Sequence, residues 1–108
     1  MPIELPQPLP DYFAAQNALD ADAMTACFAP DAEVHDEGRT YVGRDAILGW
    51  KHATIEKYGI SIEPLEINES DGKVLVTATV AGNFPGSPAN LTYRFGLGGG
   101  LIRTLDIG

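Results

Sequence analysis

The spacing of apolar residues predicts two short helices near the start of the chain. One face of the first helix is formed at positions i, i+3 and i+7 by Tyr12, Ala15 and Leu19. Asp20 can cap a second helix, over Ala21–Phe28, through its side-chain oxygen. The matching face of this second helix consists of Met24, Cys27 and Phe28.

A third helix is predicted between the segments Gly43-Arg44-Asp45 and Tyr58-Gly59. Glycine suits the left-handed conformation that follows a helix C-terminus, so we expect Gly59 to end this helix. Its apolar stripe consists of Ile47, Trp50, Ile55 and Tyr58.

After Gly59 the pattern changes to alternation of apolar and polar residues, which predicts three or four strands. Lys73–Phe84 is the clearest strand, and a hairpin turn over Glu69–Gly72 precedes it. An earlier strand over Ile60–Asn68 is interrupted by Pro64, which indicates a bulge or an edge strand. The residues that share the inward face of the clearest strand are Val74, Val76, Ala78, Val80 and Phe84.

The next strand should turn Leu91, Tyr93, Phe95 and Leu97 inward, and a last strand is predicted over Leu101–Ile107. Helices followed by an antiparallel meander predict an α+β domain. We expect one domain over residues 11–108, preceded by an arm over residues 1–10. The arm contains four prolines and is predicted to be extended and not helical.

Charge and cysteine content exclude several function classes. The net charge of −8 repels phosphate backbones and anionic lipid surfaces, so nucleic acid and membranes are not expected partners. No apolar run approaches the roughly 20 residues of a spanning helix, and nothing resembles a secretory signal, so we expect a cytoplasmic protein. Cys27 is the only cysteine, which excludes an intramolecular disulfide and predicts a small core residue.

A short strand is predicted from Ala32 to Asp36 or Glu37, and Asp36 is the one charged residue on its otherwise apolar face. One face of this strand holds Ala32, Val34 and Asp36, and the other holds Glu33, His35 and Glu37. Because the second set is polar and should face water, Asp36 should point toward the core or a cavity. Loss of water raises a carboxyl pKa, which suits such a group to act as a base. The alternative, that Asp36 caps the following turn as a solvated residue, stays open at this point.

The order of these elements, with FAPDAEVHD followed by VGRDAI, resembles the SnoaL-like and ketosteroid isomerase-like branch of the nuclear transport factor 2-like superfamily. The resemblance extends from about Tyr12 to Ile107 and is strongest over Asp20–Ile47. It implies N-terminal helices packed in a strongly curved antiparallel sheet, a cone-shaped, cystatin-like half-barrel with a deep apolar pocket. The superfamily includes isomerases, aldol cyclases, dehydratases, epoxide hydrolases and non-catalytic modules, so the motif specifies the fold better than the activity.

The resemblance also implies roles for individual residues. The general base of ketosteroid isomerases is an aspartate on this strand, and its position falls on Asp36. The tyrosine that donates to the enolate oxygen falls on Tyr12. The second oxyanion donor of that family falls on Leu91, which cannot donate, so true steroid isomerisation is not expected.

The primary hypothesis is therefore a small pocket enzyme of the isomerase or cyclase type. Asp36 would abstract a proton next to a carbonyl of an apolar small molecule, and Tyr12 would hydrogen-bond the resulting oxyanion. The side chains expected to line the pocket are Trp50, Tyr93, Phe28, Val34, Phe84 and Phe95, with His52 as a further member. No cofactor is implied by this chemistry.

Three alternatives compete with this hypothesis. A metal site is not expected, because His35 and Asp36 are neighbours on a strand and point to opposite faces. The epoxide hydrolase branch needs an aspartate, arginine, aspartate trio inside the pocket, whereas Arg94 and Asp106 are expected to point outward. The competing function is a non-catalytic binder of an apolar ligand or a dimerisation module.

We also expect a homodimer, because proteins of this fold usually pair through the outer face of the sheet. The residues predicted for that face are Leu75, Thr77, Thr79, Ala81, Thr92 and Thr104.

Overall fold

The computed structural model describes residues 5–36 and 38–107, and within these ranges the chain forms three helices and six strands. The helices are α1 (Leu9–Asn17), α2 (Ala21–Ala26) and α3 (Arg44–Tyr58). The strands are β1 (Phe28–Asp36), β2 (Arg39–Val42), β3 (Ser61–Ser70), β4 (Lys73–Ala81), β5 (Ala89–Gly98) and β6 (Leu101–Ile107). The α+β class is as predicted.

All six described strands join one sheet in the order β2-β1-β6-β5-β4-β3. The antiparallel meander predicted after α3 is confirmed, whereas the β1–β6 pair is parallel and makes the sheet mixed, which corrects the expectation of antiparallel pairing at this one position. A parallel pair needs a long crossover, and α3 together with the β3–β5 meander supplies it. Alternation within single strands carries no information about such a distant partner.

The start of the domain differs from the prediction in two respects. Helix α1 begins at Leu9, so the expectation of an extended, non-helical arm to residue 10 is wrong for Leu9 and Pro10; residues 1–4 lie outside the described part. Proline is accommodated there because the first turn of a helix has no intrahelical partner for its N–H groups. Leu19 follows the end of α1 with φ 54° and is 44% exposed, so it does not belong to the buried face.

The predicted capping residues Asp20 and Gly59 are confirmed, whereas α2 ends at Ala26 and not at the predicted Phe28. The Asp20 side chain accepts a hydrogen bond from the Ala23 N–H at 3.1 Å and caps α2. Gly59 has φ 58° and ψ 48°, the left-handed conformation expected after α3. At the other end of α3, the Arg44 guanidinium donates two hydrogen bonds, at 2.9 and 2.7 Å, to the Phe28 carbonyl oxygen. These bonds join α3 to the start of β1.

The strands confirm the predicted hairpin and bulge and add one element that was missed. Asp71 and Gly72 form the turn between β3 and β4 with φ 53° and 76°, and the β3 register shifts between Pro64 and Glu66. Strand β1 begins at Phe28, earlier than predicted, and β2 was not predicted at all. The face of β4 predicted to be buried is confirmed for Val74, Val76, Ala78 and Val80.

The core lies between the inner face of the sheet and the helices. Its centre is the fully buried Tyr12, whose ring meets Phe28 and Phe95 edge to face at centroid distances of 5.6 and 5.8 Å. Helix α1 is fixed across the sheet by Asn17, which exchanges two hydrogen bonds with the Ile62 backbone at 2.9 and 2.7 Å. This anchor sets the position of every α1 side chain relative to β3.

The opposite face of the sheet carries the residues expected at a dimer interface. They alternate with the core residues and are half-buried: Leu75, Thr77, Thr79, Ala81, Thr92 and Thr104. Pairing of two copies through this face stays a prediction. Among the described residues, no helix is long and apolar enough to cross a membrane.

We expect Gly82→Ala to destabilise the fold by about 1–3 kcal/mol, because overpacking a filled site costs that much. A Cβ at Gly82 would lie 2.9 Å from the Tyr58 carbonyl oxygen and 3.2 Å from Ile60 Cγ1, where α3 ends. Urea unfolding measures the change in the free energy of unfolding.

Gly49→Ala is the matched control for this change. Gly49 lies within α3, and nothing lies within 4 Å of its added Cβ. Alanine there should stabilise the protein by up to about 1 kcal/mol, the difference in helix propensity. Equal effects of the two substitutions would contradict the described packing at Gly82.

Candidate functional site

A cavity of about 320 Å³ lies between α3 and the inner face of strands β4, β5 and β6. Its polar lining consists of Gln16, Asp36, Lys51 and Thr54. The larger, apolar and aromatic part of the wall includes Trp50, Tyr58, Ile60, Val80, Phe84, Leu91, Tyr93 and Ile107. A few polar groups in an apolar wall are the usual composition of a small-molecule site, and this volume is at the low end of the usual range.

Asp36 lies at the end of β1, where its carboxylate reaches the cavity. The Trp50 indole Nε1–H donates to Asp36 Oδ2 at 3.2 Å. Trp50 is itself held by stacking on Tyr41, with ring centroids 5.6 Å apart and an interplanar angle of 26°. The carboxylate is thus oriented by an aromatic pair that joins β2 to α3.

Lys51 is the functional candidate that the sequence analysis missed. Its side chain is buried, with 3% of the residue exposed, and it lines the cavity. The Nζ atom donates to the Tyr12 hydroxyl at 2.5 Å and to Gln16 Oε1 at 3.1 Å. It also lies 4.1 Å from the ring centroid of Trp50 and 4.7 Å from that of Tyr12.

Burial controls the ionisation of this cluster. Loss of water lowers the pKa of Lys51 from 10.5 to about 7, although the negative charge of Asp36 acts in the opposite direction. Lys51 therefore exists as both amine and ammonium near neutral pH. Burial raises the pKa of Tyr12 and of Tyr93, and the Asp36 charge adds to both effects, so both hydroxyls keep their protons.

Tyr12, the predicted oxyanion donor, is fully buried among Phe13, Phe28 and Phe95 and is not part of the cavity lining. Its hydroxyl accepts a hydrogen bond from Lys51, which does line the cavity. The hydrogen bond to this lysine therefore connects the Tyr12 hydroxyl to the cavity wall.

The other predicted pocket residues fall into three groups. Trp50, Tyr93 and Phe84 line the cavity. The side chains that belong to the core and not to the cavity lining are Phe28, Val34 and Phe95. His52 is exposed on α3 and does not line the cavity, because its position in the helical repeat turns it away from the face that Lys51 occupies.

The remaining charged candidates lie outside the cavity. His35 contacts Thr40 Oγ1 at 3.0 Å and Glu33 at 3.3 Å on the outer side of β1, as alternation predicted. Arg94 is exposed, and Asp106 lies 3.9 Å from Lys73, so neither joins the cavity wall. In the described part of the chain, no group of three or more histidine, cysteine or acidic side chains could hold a metal ion.

The family model of the SnoaL-like domain matches residues 9–98. The chain belongs to the SnoaL-like domain family. No functionally curated protein matches it significantly. A solved candidate polyketide cyclase from Sinorhizobium meliloti is similar to this SnoaL-like domain at 44% identity and a TM-score of 0.87, with 93% of this chain and 92% of that chain covered.

Two more distant solved structures support the fold alone. A protein with a ketosteroid isomerase-like fold from Catenulispora acidiphila, bound to trimethylamine, has 21% identity and a TM-score of 0.80 over 93% of this chain and 82% of that chain. An epoxide hydrolase/cyclase-like enzyme of pyran ring formation in salinomycin has 24% identity and a TM-score of 0.79 over 92% and 84%.

A signal for Lys51 was present in the sequence of this SnoaL-like domain. Its spacing continues the buried side of α3, which runs at i, i+3, i+4, i+7 and i+11 through Ile47, Trp50, Lys51, Thr54 and Tyr58. A stripe defined by apolar residues alone leaves out Lys51, because lysine is almost never fully buried in a protein. A charged residue on the core-facing side of an amphipathic helix is the sign that would have identified it.

We expect the free energy of unfolding to rise by about 1.5 kcal/mol between pH 7 and pH 8.5, and this rise to be absent in Lys51→Met. In this range Lys51 of the unfolded chain keeps its proton, at its ordinary pKa of 10.5, whereas the folded form loses it above about 7. Because the unfolded state then binds more protons, stability increases with pH.

Urea unfolding at the two pH values measures this difference. The upper value lies below 9.0, the ordinary pKa of the Cys27 thiol, whose raised pKa in the fold would oppose the trend at higher pH. Lys57→Met, at an exposed position of the same helix, is the control and should keep the wild-type pH dependence. Parallel curves for wild type and Lys51→Met would contradict a buried lysine of lowered pKa.

Proposed function

We propose that this SnoaL-like domain is a small-molecule isomerase or cyclase in which Asp36 removes a proton next to the carbonyl of an apolar compound. The observation that carries the proposal is a carboxylate at an apolar cavity, oriented by the Trp50 N–H. The Sinorhizobium meliloti candidate polyketide cyclase, 44% identical, supports the same class of chemistry.

The base needs a partner that accepts the charge developing on the carbonyl oxygen. Leu91 lines the cavity and offers no hydrogen bond, and the resemblance to ketosteroid isomerases assigns the second donor to this position. The donors at the wall are instead the Lys51 ammonium form and the Tyr93 hydroxyl, whose raised pKa keeps it protonated. Tyr12 then acts on the site by holding Lys51 in place. Such preorganised donors are worth a few kcal/mol of transition-state stabilisation.

Cavity volume limits the substrate class. About 320 Å³ suits a short-chain or single-ring carbonyl compound. The aromatic wall formed by Trp50, Tyr93 and Phe84 favours a flat, apolar substrate.

Exchange of α-protons tests the proposal without knowledge of the natural substrate. Cyclohexanone and cyclohexenone in D₂O serve as probes, and NMR follows the loss of their α-proton signals. We expect Asp36→Asn to lower the catalysed exchange rate about 100-fold or more, the usual contribution of a general base. The asparagine oxygen can still accept the Trp50 N–H, so the geometry is retained.

Glu33→Gln is the matched control, because Glu33 is a half-exposed carboxylate on the opposite face of the same strand. It should leave the exchange rate unchanged. Binding is monitored separately by the fluorescence of Trp50, the only tryptophan of the chain, at the cavity wall. Probe binding with equal exchange in wild type and Asp36→Asn would contradict catalysis by Asp36 and favour a non-catalytic binder.

A further inference from the structure

We propose that Lys51 is a nucleophile that condenses with the carbonyl group of the bound compound to form an imine. The inference rests on the proposed function for the class of substrate, a small apolar aldehyde or ketone. It assigns to Lys51 a covalent step in addition to any hydrogen bond that it donates.

The first support is the position of the Lys51 side chain. Lys51 lines a cavity of about 320 Å³ while only 3% of the residue is exposed, so a compound in the cavity meets its side chain away from bulk water. The rings of Trp50 and Tyr12 lie against Nζ and restrict its movement. A nucleophile held beside a bound carbonyl gains from proximity and orientation.

The second support is the chemistry of the hydrogen-bond partners of Nζ. They are the Tyr12 hydroxyl oxygen and the Gln16 amide oxygen, and both groups are neutral. Neutral acceptors stabilise an ammonium ion less than a directly bonded carboxylate would. The Tyr12 hydroxyl can also donate to the lone pair of a neutral amine, so the contact is compatible with both ionisation states.

Ionisation then supplies the reactive form. Burial lowers the pKa of Lys51 to about 7, so a large fraction of folded molecules carries the free amine at neutral pH. At pH 7.5 a lysine of ordinary pKa is an amine in only about one molecule in a thousand. A desolvated lysine in an apolar pocket is a recognised way to activate an amine for imine formation.

The step balances without a further reactant. The Nζ lone pair attacks the carbonyl carbon and forms a C–N bond, while the C=O π electrons move to oxygen, which takes up a proton. The nitrogen then gives one of its two protons to this oxygen, which leaves as water. A C=N bond forms, and the nitrogen keeps its other proton as an iminium ion. Asp36 next takes the α-proton, and the electron pair of the C–H bond moves toward nitrogen to give an enamine. Reprotonation on carbon and addition of water release the product and the amine.

This route accounts for the donor missing at Leu91. In the iminium ion the positive nitrogen is bonded to the former carbonyl carbon, so it accepts the electrons released by proton abstraction. An oxyanion no longer forms in that step, and two strong donors to oxygen are no longer required. One carboxylate and one amine at the same cavity wall are then sufficient for α-proton chemistry.

Reductive trapping tests the proposal. The protein is incubated with butanal or cyclohexanone and sodium cyanoborohydride at pH 7, and peptide mass spectrometry locates the alkylated amines. Only three lysines occur in the sequence, so Lys57 and Lys73 are internal controls in every sample. We expect Lys51 to be modified at least about 100-fold faster than either, in line with its larger amine fraction.

Two further measurements test the same assignment, and the first uses the wild-type protein alone, so it does not depend on the folding of a variant. Cyclohexanol, which has no carbonyl, should occupy the cavity and slow the modification of Lys51 without changing that of Lys73. Lys51→Arg retains a cation without a nucleophilic amine and should show no adduct at position 51, whereas Lys57→Arg should be trapped like wild type. Equal modification of all three lysines, or no protection by cyclohexanol, would overturn the proposal.

The outcomes separate this inference from the proposed function. Exchange that depends on Asp36 but persists in Lys51→Arg, with no adduct on Lys51 of the wild type, would overturn the imine and leave the proton-transfer function standing. Selective trapping at Lys51 without exchange of α-protons would support the imine and contradict the proton-transfer function. Loss of exchange in both Asp36→Asn and Lys51→Arg, with selective trapping, would support both.

Discussion

The burial of the Lys51 nitrogen is the constraint on which the rest of the site depends. An amine removed from water must be neutralised or given hydrogen-bond partners, and the fold does both. Helix α1 supplies Tyr12 and Gln16 as acceptors, and the low polarity of the surroundings moves the pKa to about 7. Asp36 acts on the same amine through its negative charge. Residues of α1 and β1 therefore influence the ionisation of Lys51 on α3.

The sheet topology brings these elements together. The parallel pairing of β1 with β6 places the end of β1 beside the inner face of the meander, where Asp36 and Ile107 line the same cavity. The two hydrogen bonds between Asn17 and Ile62 fix α1 against β3, and they thereby help to place Gln16 at the cavity wall. The hydrogen bonds from Arg44 to the Phe28 carbonyl oxygen join the start of α3 to the start of β1, and they hold this helix beside the cavity. Local capping and long-range pairing are therefore both needed to assemble one small group of side chains.

Local sequence signals predicted the features that local physics decides. The Asp20 cap, the Gly59 helix end and the Asp71-Gly72 turn each depend on the conformational preference of one or two residues. The cavity position of Asp36 followed from strand alternation, because a period of two allows only two faces. The pairing of β1 with β6 and the burial of Tyr12 behind the cavity wall could not be predicted from local signals, since both depend on contacts between distant segments. Lys51 was missed because composition predicts an exposed lysine, whereas the helical repeat predicts a buried one.

Stability alone gives no reason for a lysine at this place. Replacement of a buried charged group by an apolar residue of similar size is often neutral or stabilising. Folded proteins retain such costly groups chiefly where chemistry uses them, and strongly shifted pKa values accumulate at functional sites for that reason. In this fold the same Asp36 charge affects Lys51, Tyr12 and Tyr93. A carboxylate, an amine and two phenols are thus coupled electrostatically beside one apolar cavity, which is the arrangement that the proposed proton transfer requires.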